Sequence, residues 1–167
     1  MSTKHAGGAR GPATPATVAL TAAGIPFTAH TYEHHDTATN FGEEAAAELG
    51  LSVDRVFKTL VVDADGTLVV GVVPVSGRLD LKALAAAVGA KKASLAEPAL
   101  VERRTGYVVG GISPLGQRTA ATTVVDASAA SLASVFVSGG RRGFDIEIAP
   151  DDLVRATGGT YAAIRRD

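Results

Sequence analysis

A chain of 167 residues, 46% of them hydrophobic, can bury a core of its own, so it reads as one globular domain that needs neither metal nor disulfide. Sixteen Lys and Arg against seventeen Asp and Glu leave a formal net charge of −1, which excludes a protein that grips nucleic acid by bulk charge and leaves only local patches. The chain has no cysteine, which excludes disulfide frameworks, Cys-ligated zinc, thioredoxin chemistry and a thiol nucleophile.

No apolar run reaches the length of about 20 residues that a membrane span needs, and the opening MSTKHAGGARGPA lacks the apolar stretch of a signal peptide. A cytoplasmic location is the resulting expectation. Met1 to Ala13, small, polar and glycine-rich, reads as a flexible tail, and residues 14–167 as the domain.

In chain order, Thr14-Pro15 is a helix start, with Val18, Ala19 and Ala22 as its stripe and Gly24 as its stop. The run FTAHTYEH from Phe27 is rich in aromatic and β-branched residues and predicts a strand. Asn40 with Glu43 is a capping box ahead of a helix stopped by Gly50. Val56 to Val75 holds two β-rich runs divided by Asp63-Ala64-Asp65-Gly66, the strongest hairpin signal in the chain. LDLKALAAAVG predicts a helix ending at Gly89, and Glu97-Pro98 opens another that ends near Gly106. Short strands fit YVVGG, ATTVVD, SVFVSGG and FDIEIAP; a helix follows Pro150, and a short strand follows Gly158-Gly159. Strands and helices alternate, but the hairpin means the sheet cannot be wholly parallel. The expected fold class is α/β, a single domain with one curved mixed, partly antiparallel and barrel-like β-sheet surrounded by helices.

Period-two alternation places Val56, Lys58, Leu60 and Val62 on one face of their strand, with Lys58 the lone charge. Such a lysine either snorkels out or guards a sheet edge, or it is a cation held in a pocket for a phosphate, a carboxylate or a polarised carbonyl. GGISPLG, Gly110 to Gly116, is either a plain turn or a rigid loop whose backbone N–H groups bind anions. It is no P-loop, because the lysine and hydroxyl after the last glycine are missing. SGGRRG, Ser138 to Gly143, suits a phosphate cradle or a basic hairpin tip, and Asp145 shares a strand face with Glu147. His30, Tyr32 and His34 fall on one side of their strand, yet HExxH is absent and no further metal ligand is identifiable. There is no Gly-x-Ser-x-Gly elbow either.

Taken in order, HTYEH, TNFGEEAA, VFKTLVV, LDLKALA, TGYVVGGISPLGQ, VSGGRRGFDIEIAPDDL and the closing RRD resemble the YbaK family of Cys-tRNA(Pro) deacylases, from about Thr14 to Asp167. The resemblance extends to the editing domain inserted in bacterial prolyl-tRNA synthetases. It implies a pocket that receives the aminoacyl ester at the tRNA 3′ end. In that pocket Lys58 with Gly110 and Gly111 would be catalytic, and Tyr32, Phe41, Thr59, Ser138 and Asp145 would hold the substrate. Arg141, Arg142, Lys91 and Lys92, with Arg103-Arg104 and Arg165-Arg166, are the candidate phosphate contacts. The implied partners are tRNA(Pro) carrying a wrong amino acid and prolyl-tRNA synthetase, with no cofactor, no metal and no membrane.

With no Cys, Ser elbow or metal motif, the nucleophile is water or the substrate. The resemblance implies the substrate: the thiol of mischarged cysteine attacks its own carbonyl and leaves as a thiolactone. The alternatives are an Ala-tRNA(Pro) deacylase that activates water and a non-catalytic module that binds tRNA or the synthetase. A metal hydrolase around His30 and His34 is the remaining reading.

Overall fold

The computed structural model describes residues 11–38 and 40–167. Most of the expected N-terminal tail lies outside them. Within them, Gly11 already packs against Ala29 and the Phe144 ring, and the Pro12 carbonyl accepts the Thr17 hydroxyl at 3.2 Å.

Thr14 caps helix α1 (Pro15–Ala23) through a reciprocal box with Thr17, and Gly24 ends it in the left-handed conformation. Its buried face is Ala16, Thr17 and Leu20, not the expected Val18 stripe; Val18 is 59% exposed. Ala16 and Leu20 pack into the main apolar cluster, and Val18 on the opposite side is left in solvent. Strand β1 (Thr28–Thr31) is shorter than the FTAHTYEH run, because the chain turns away after Tyr32 donates its amide to the Gly143 carbonyl. Helix α2 (Phe41–Leu49) starts where the Asn40 side chain accepts the Glu43 amide at 3.0 Å.

The hairpin is formed by β2 (Phe57–Ala64) and β3 (Thr67–Pro74), paired in register from Phe57↔Pro74 to Ala64↔Thr67. Its two-residue turn carries positive φ at both Asp65 (52°) and Gly66 (89°), which matches the right-handed twist of the flanking strands. Asp65 then accepts the Lys91 and Lys92 amides at 2.7 and 3.0 Å. The chain continues through β4 (Arg78–Leu79), α3 (Leu81–Ala87), β5 (Ala93–Leu95) and α4 (Pro98–Thr105) to β6 (Thr122–Asp126). A 3-10 turn at Ala127–Ser131 leads to β7 (Val135–Arg141), β8 (Phe144–Ile148), α5 (Pro150–Thr157), β9 (Thr160–Ala162) and β10 (Arg165–Arg166).

The single α/β domain with mixed pairing is as expected. The pairing divides into three sheets, ordered β1-β8-β7, β5-β2-β3-β6-β9 and β10-β4, and does not close as a barrel. An isolated parallel bridge, Val56↔Phe136, joins the two larger sheets. Both faces of the hairpin are buried: Phe57, Val61, Val70 and Val72 face one apolar cluster, while Val62, Ala64, Val69 and Val73 face another. That is why the run reads as almost continuously apolar in sequence.

YVVGG is not a strand. Tyr107 is drawn inward, its hydroxyl donating to the Leu115 carbonyl at 2.6 Å, and Gly110, at φ 91°, turns the chain. Aromatic and β-branched residues favour extended backbone locally, but here the turn and the buried hydroxyl bond decide.

Asp126, 4% exposed, ties the C-terminus to the sheet. One carboxylate oxygen accepts the Ile164 and Arg165 amides at 3.0 and 3.1 Å, and the other accepts the Ser128 amide and hydroxyl. Replacing it orphans buried donors. Asp126→Ala is expected to lower stability by about 3 kcal/mol in urea unfolding.

Candidate active site

Strand β5 pairs only with Val62–Ala64, and the Ala96 amide takes the Val61 carbonyl at 3.0 Å. Toward its start, β2 has no ladder partner on that edge among the described strands. Strand alternation aims the backbone groups of Thr59 the same way as those of Val61. A cavity of about 490 Å³ fills the gap. The start of α2 walls it with Asn40, Phe41 and Gly42, and Val109, Gly110 and Ile112 form a second wall. Leu95, Pro98 and Val101 supply an apolar side, and Tyr32, Lys58, Thr59, Ser138 and Asp145 supply the polar groups.

Seven of the sequence-predicted residues thus meet in one place: Tyr32, Phe41, Lys58, Thr59, Gly110, Ser138 and Asp145. Gly111, Arg141, Arg142, Lys91 and Lys92 do not line the cavity. Gly111 acts from behind the wall, where any Cβ would meet the Arg141 backbone at 2.7 Å. Arg142 donates to the Val109 carbonyl from Nε (3.0 Å) and Nη2 (2.6 Å), with its guanidinium 4.8 Å from the Phe41 ring centroid. It clasps the glycine loop to α2. A Cβ at Gly110 would strike Arg142 Nε at 2.6 Å and the Phe41 ring at 3.0 Å.

Ser138 and Asp145 are direct cross-strand partners on β7 and β8. Asp145 is 4% exposed, and burial pushes its carboxyl up to about 7. Burial, and then the Asp145 charge, raise the Tyr32 phenol. Burial lowers the half-buried Lys58 ammonium, and Arg78 lowers it further, while Glu43 pulls the other way. The Thr59 hydroxyl is buried with no hydrogen-bond partner. The site therefore holds a half-buried cation, a buried carboxyl and a buried Thr59 hydroxyl, each lacking a fixed protein counterpart among the described residues.

His30, His34 and His35 lie elsewhere. His30 Nε2 meets Glu147 at 3.0 Å, and His34 Nδ1 meets Glu44 at 2.7 Å. Among the described residues no group of three or more His, Asp or Glu side chains is placed to hold a metal ion. The sequence reading missed the Arg142 clasp and the apolar side of the pocket. Leu95 belongs to β5, a three-residue strand too short to stand out, and Arg142, expected as a phosphate contact or a basic hairpin tip, instead binds the Val109 carbonyl.

This mixed α/β domain falls in the class of aminoacyl-tRNA editing domains. The family model described as the aminoacyl-tRNA editing domain matches residues 34–156, and the chain belongs to that family. Its activity class is that of an aminoacyl-tRNA deacylase. The chain is 40% identical over 123 residues, 73% of it and 75% of the relative, to EbsC of Enterococcus faecalis, a protein named as a Cys-tRNA(Pro)/Cys-tRNA(Cys) deacylase. Among solved structures it resembles hypothetical protein APE2540 at 30% identity and TM-score 0.81, covering 92% of this chain and all of the other. It also resembles a chain described as a trans-editing enzyme for prolyl-tRNA synthetase at TM-score 0.82, covering 94% and 100%; at 24% identity that likeness speaks for the fold. No helix among the described residues is long and apolar enough to cross a membrane.

Asp145 also makes a stability prediction. Its folded value of about 7 lies above the unfolded 3.8, so between those pH values the native state holds the extra proton. Stability then falls as pH rises through that window, by up to about 1.4 kcal/mol per pH unit, and levels off above it. Asp145→Asn is expected to remove this slope and to be the more stable protein above pH 7 in urea unfolding followed across pH.

Proposed function

We propose that this protein removes cysteine from mischarged Cys-tRNA(Pro), with the thiol of the substrate as nucleophile. The observation that carries the reading is a cavity containing Lys58 and Asp145 but no assembled nucleophile and base. The Ser138 hydroxyl accepts the Gly140 amide at 3.2 Å, and no histidine among the described residues lines the cavity. Well-aligned intramolecular attack reaches effective molarities on the order of 10⁵ M or more, so the protein need only position the ester and stabilise the charge that develops.

In this scheme the cysteinyl sulfur bonds to its own carbonyl carbon, and the bond from that carbon to the ribose oxygen breaks. The thiol proton ends on the ribose oxygen, which restores the tRNA hydroxyl. Cysteine leaves as a four-membered thiolactone that water later opens. Lys58, with the Gly110 N–H beside it, faces the carbonyl oxygen as it becomes an oxyanion, while Gly111, its own amide given to the Val108 carbonyl at 2.9 Å, shapes the turn. Asp145, ionised when a cation arrives beside it, holds the substrate α-ammonium, with Tyr32, Thr59 and Ser138 around it. Phe41 and the apolar wall take the terminal adenosine.

Size supports a chemical basis for selection. A cavity of about 490 Å³ is far larger than a cysteine side chain, so side-chain fit alone discriminates weakly, at about 1–3 kcal/mol per methylene. Requiring a thiol excludes alanine and proline outright. One observation favours a second reading: a carboxyl near 7 is poised to act as a general base, which would let Asp145 activate water on Ala-tRNA(Pro). The expected partner is prolyl-tRNA synthetase, which would supply the tRNA selectivity that a chain of net charge −1 lacks.

Ester loss is followed on tRNA(Pro) charged separately with cysteine, serine, alanine and proline. Release of cysteine alone, with a thiolactone detected by mass spectrometry, is the expected result; release of alanine or serine would move the assignment to activated water. Lys58→Ala should slow cysteine release about 100-fold at unchanged fold, the loss typical of one removed oxyanion donor.

A further inference from the structure

The two-stranded ladder of β4 and β10 sits next to the cavity wall and carries an unusual pairing. Arg78 and Arg166 are direct antiparallel partners, so their side chains leave the same face of the ladder as opposed like charges. Both are exposed, and so is Arg165, whose aliphatic stem lies across Gly77, where a Cβ would meet it at 2.5 Å. Among the described residues none of these arginines forms an ion pair, and neither does Lys58. The neighbouring acid Asp80 accepts the Ala83 amide as the α3 cap at 3.0 Å, and Asp167 follows Arg166 without pairing with it.

The ladder is continuous with the pocket. Gly42, in the cavity wall, packs on Val75, two residues before Gly77. The charge of Arg78 reaches Lys58 inside the cavity, where only Glu43 opposes it. Opposed arginines repel until an anion bridges them, and phosphate suits the planar guanidinium donors. Arg142, by contrast, already gives Nε and Nη2 to the Val109 carbonyl.

We propose that Arg78 and Arg166 form a phosphate-binding ridge that takes the RNA backbone where the acceptor end leaves the cavity beside Lys58. The proposal rests on the editing function above and gives the RNA a direction: away from the pocket along β4 and β10. The near-neutral chain thereby acquires the local patch that bulk charge denies it.

The test compares wild type with Arg78→Gln/Arg166→Gln, whose exposed positions should leave the unfolding temperature unchanged. On full-length charged tRNA(Pro) the variant should raise KM roughly tenfold at similar kcat. Its affinity for uncharged tRNA(Pro), read by fluorescence anisotropy, should depend less on salt, the slope of log K against log salt falling by roughly 1.5 for two lost phosphate contacts. On a cysteinyl ester of the terminal adenosine alone it should match wild type. Unchanged tRNA affinity and salt slope would overturn the ridge, as would an equal loss on the adenosine ester or a loss of synthetase binding in place of RNA binding. If wild type cleaves no ester, the editing reading fails, and the anisotropy comparison still decides the ridge.

Discussion

The site depends on a strand that stops early. Three residues of β5 cover only the far end of β2, and the rest of that edge opens onto the cavity. Strand edges normally invite another strand, and here α2, the glycine loop and the β7–β8 hairpin occupy the space, with no more than the single Val56↔Phe136 bridge among the described residues. The pocket is therefore lined by rigid sheet on one side and by loop and helix ends on the other. Arg142 matters for the same reason: bound to Val109 and lying over Phe41, it holds two of those walls together at a point where no ladder can.

Desolvation sets the chemistry within that frame. It pushes Lys58 and Asp145 in opposite directions, each toward its neutral form, and leaves the Thr59 hydroxyl without a partner. Groups kept this way are costly in the empty protein and responsive to a ligand that brings complementary charge. On the proposed reading, an aminoacyl ester would bring an ammonium to the carboxyl and an incipient oxyanion to the lysine. On that reading the same separation lets a protein without cysteine accommodate acyl transfer, since it would orient a reaction rather than take part in it covalently.

Local signals were read well wherever one physical device decides the outcome. Thr14, Asn40 and the Asp65-Gly66 turn mark their helices and hairpin, because caps and positive-φ turns are settled within a few residues. Signals failed where distant contacts outvote local preference. YVVGG has strand composition but is bent by the Tyr107 hydroxyl and Gly110, Val18 faces solvent because Ala16 and Leu20 pack inward, and one expected sheet is divided among three sheets in the described residues.

The candidate site divides along the same line. The residue types, their order along the chain, and the exclusion of a protein thiol were legible in the sequence, as was Lys58 as a charge on an apolar strand face. That Ser138 stands opposite Asp145, that both share a cavity with Lys58 from another sheet, and that Arg78 faces Arg166 were decided only by tertiary structure. The reason is physical. Periodicity and capping are properties of neighbours along the chain, whereas burial, cross-strand register and the pKa shifts they cause exist only once segments a hundred residues apart have closed water out between them.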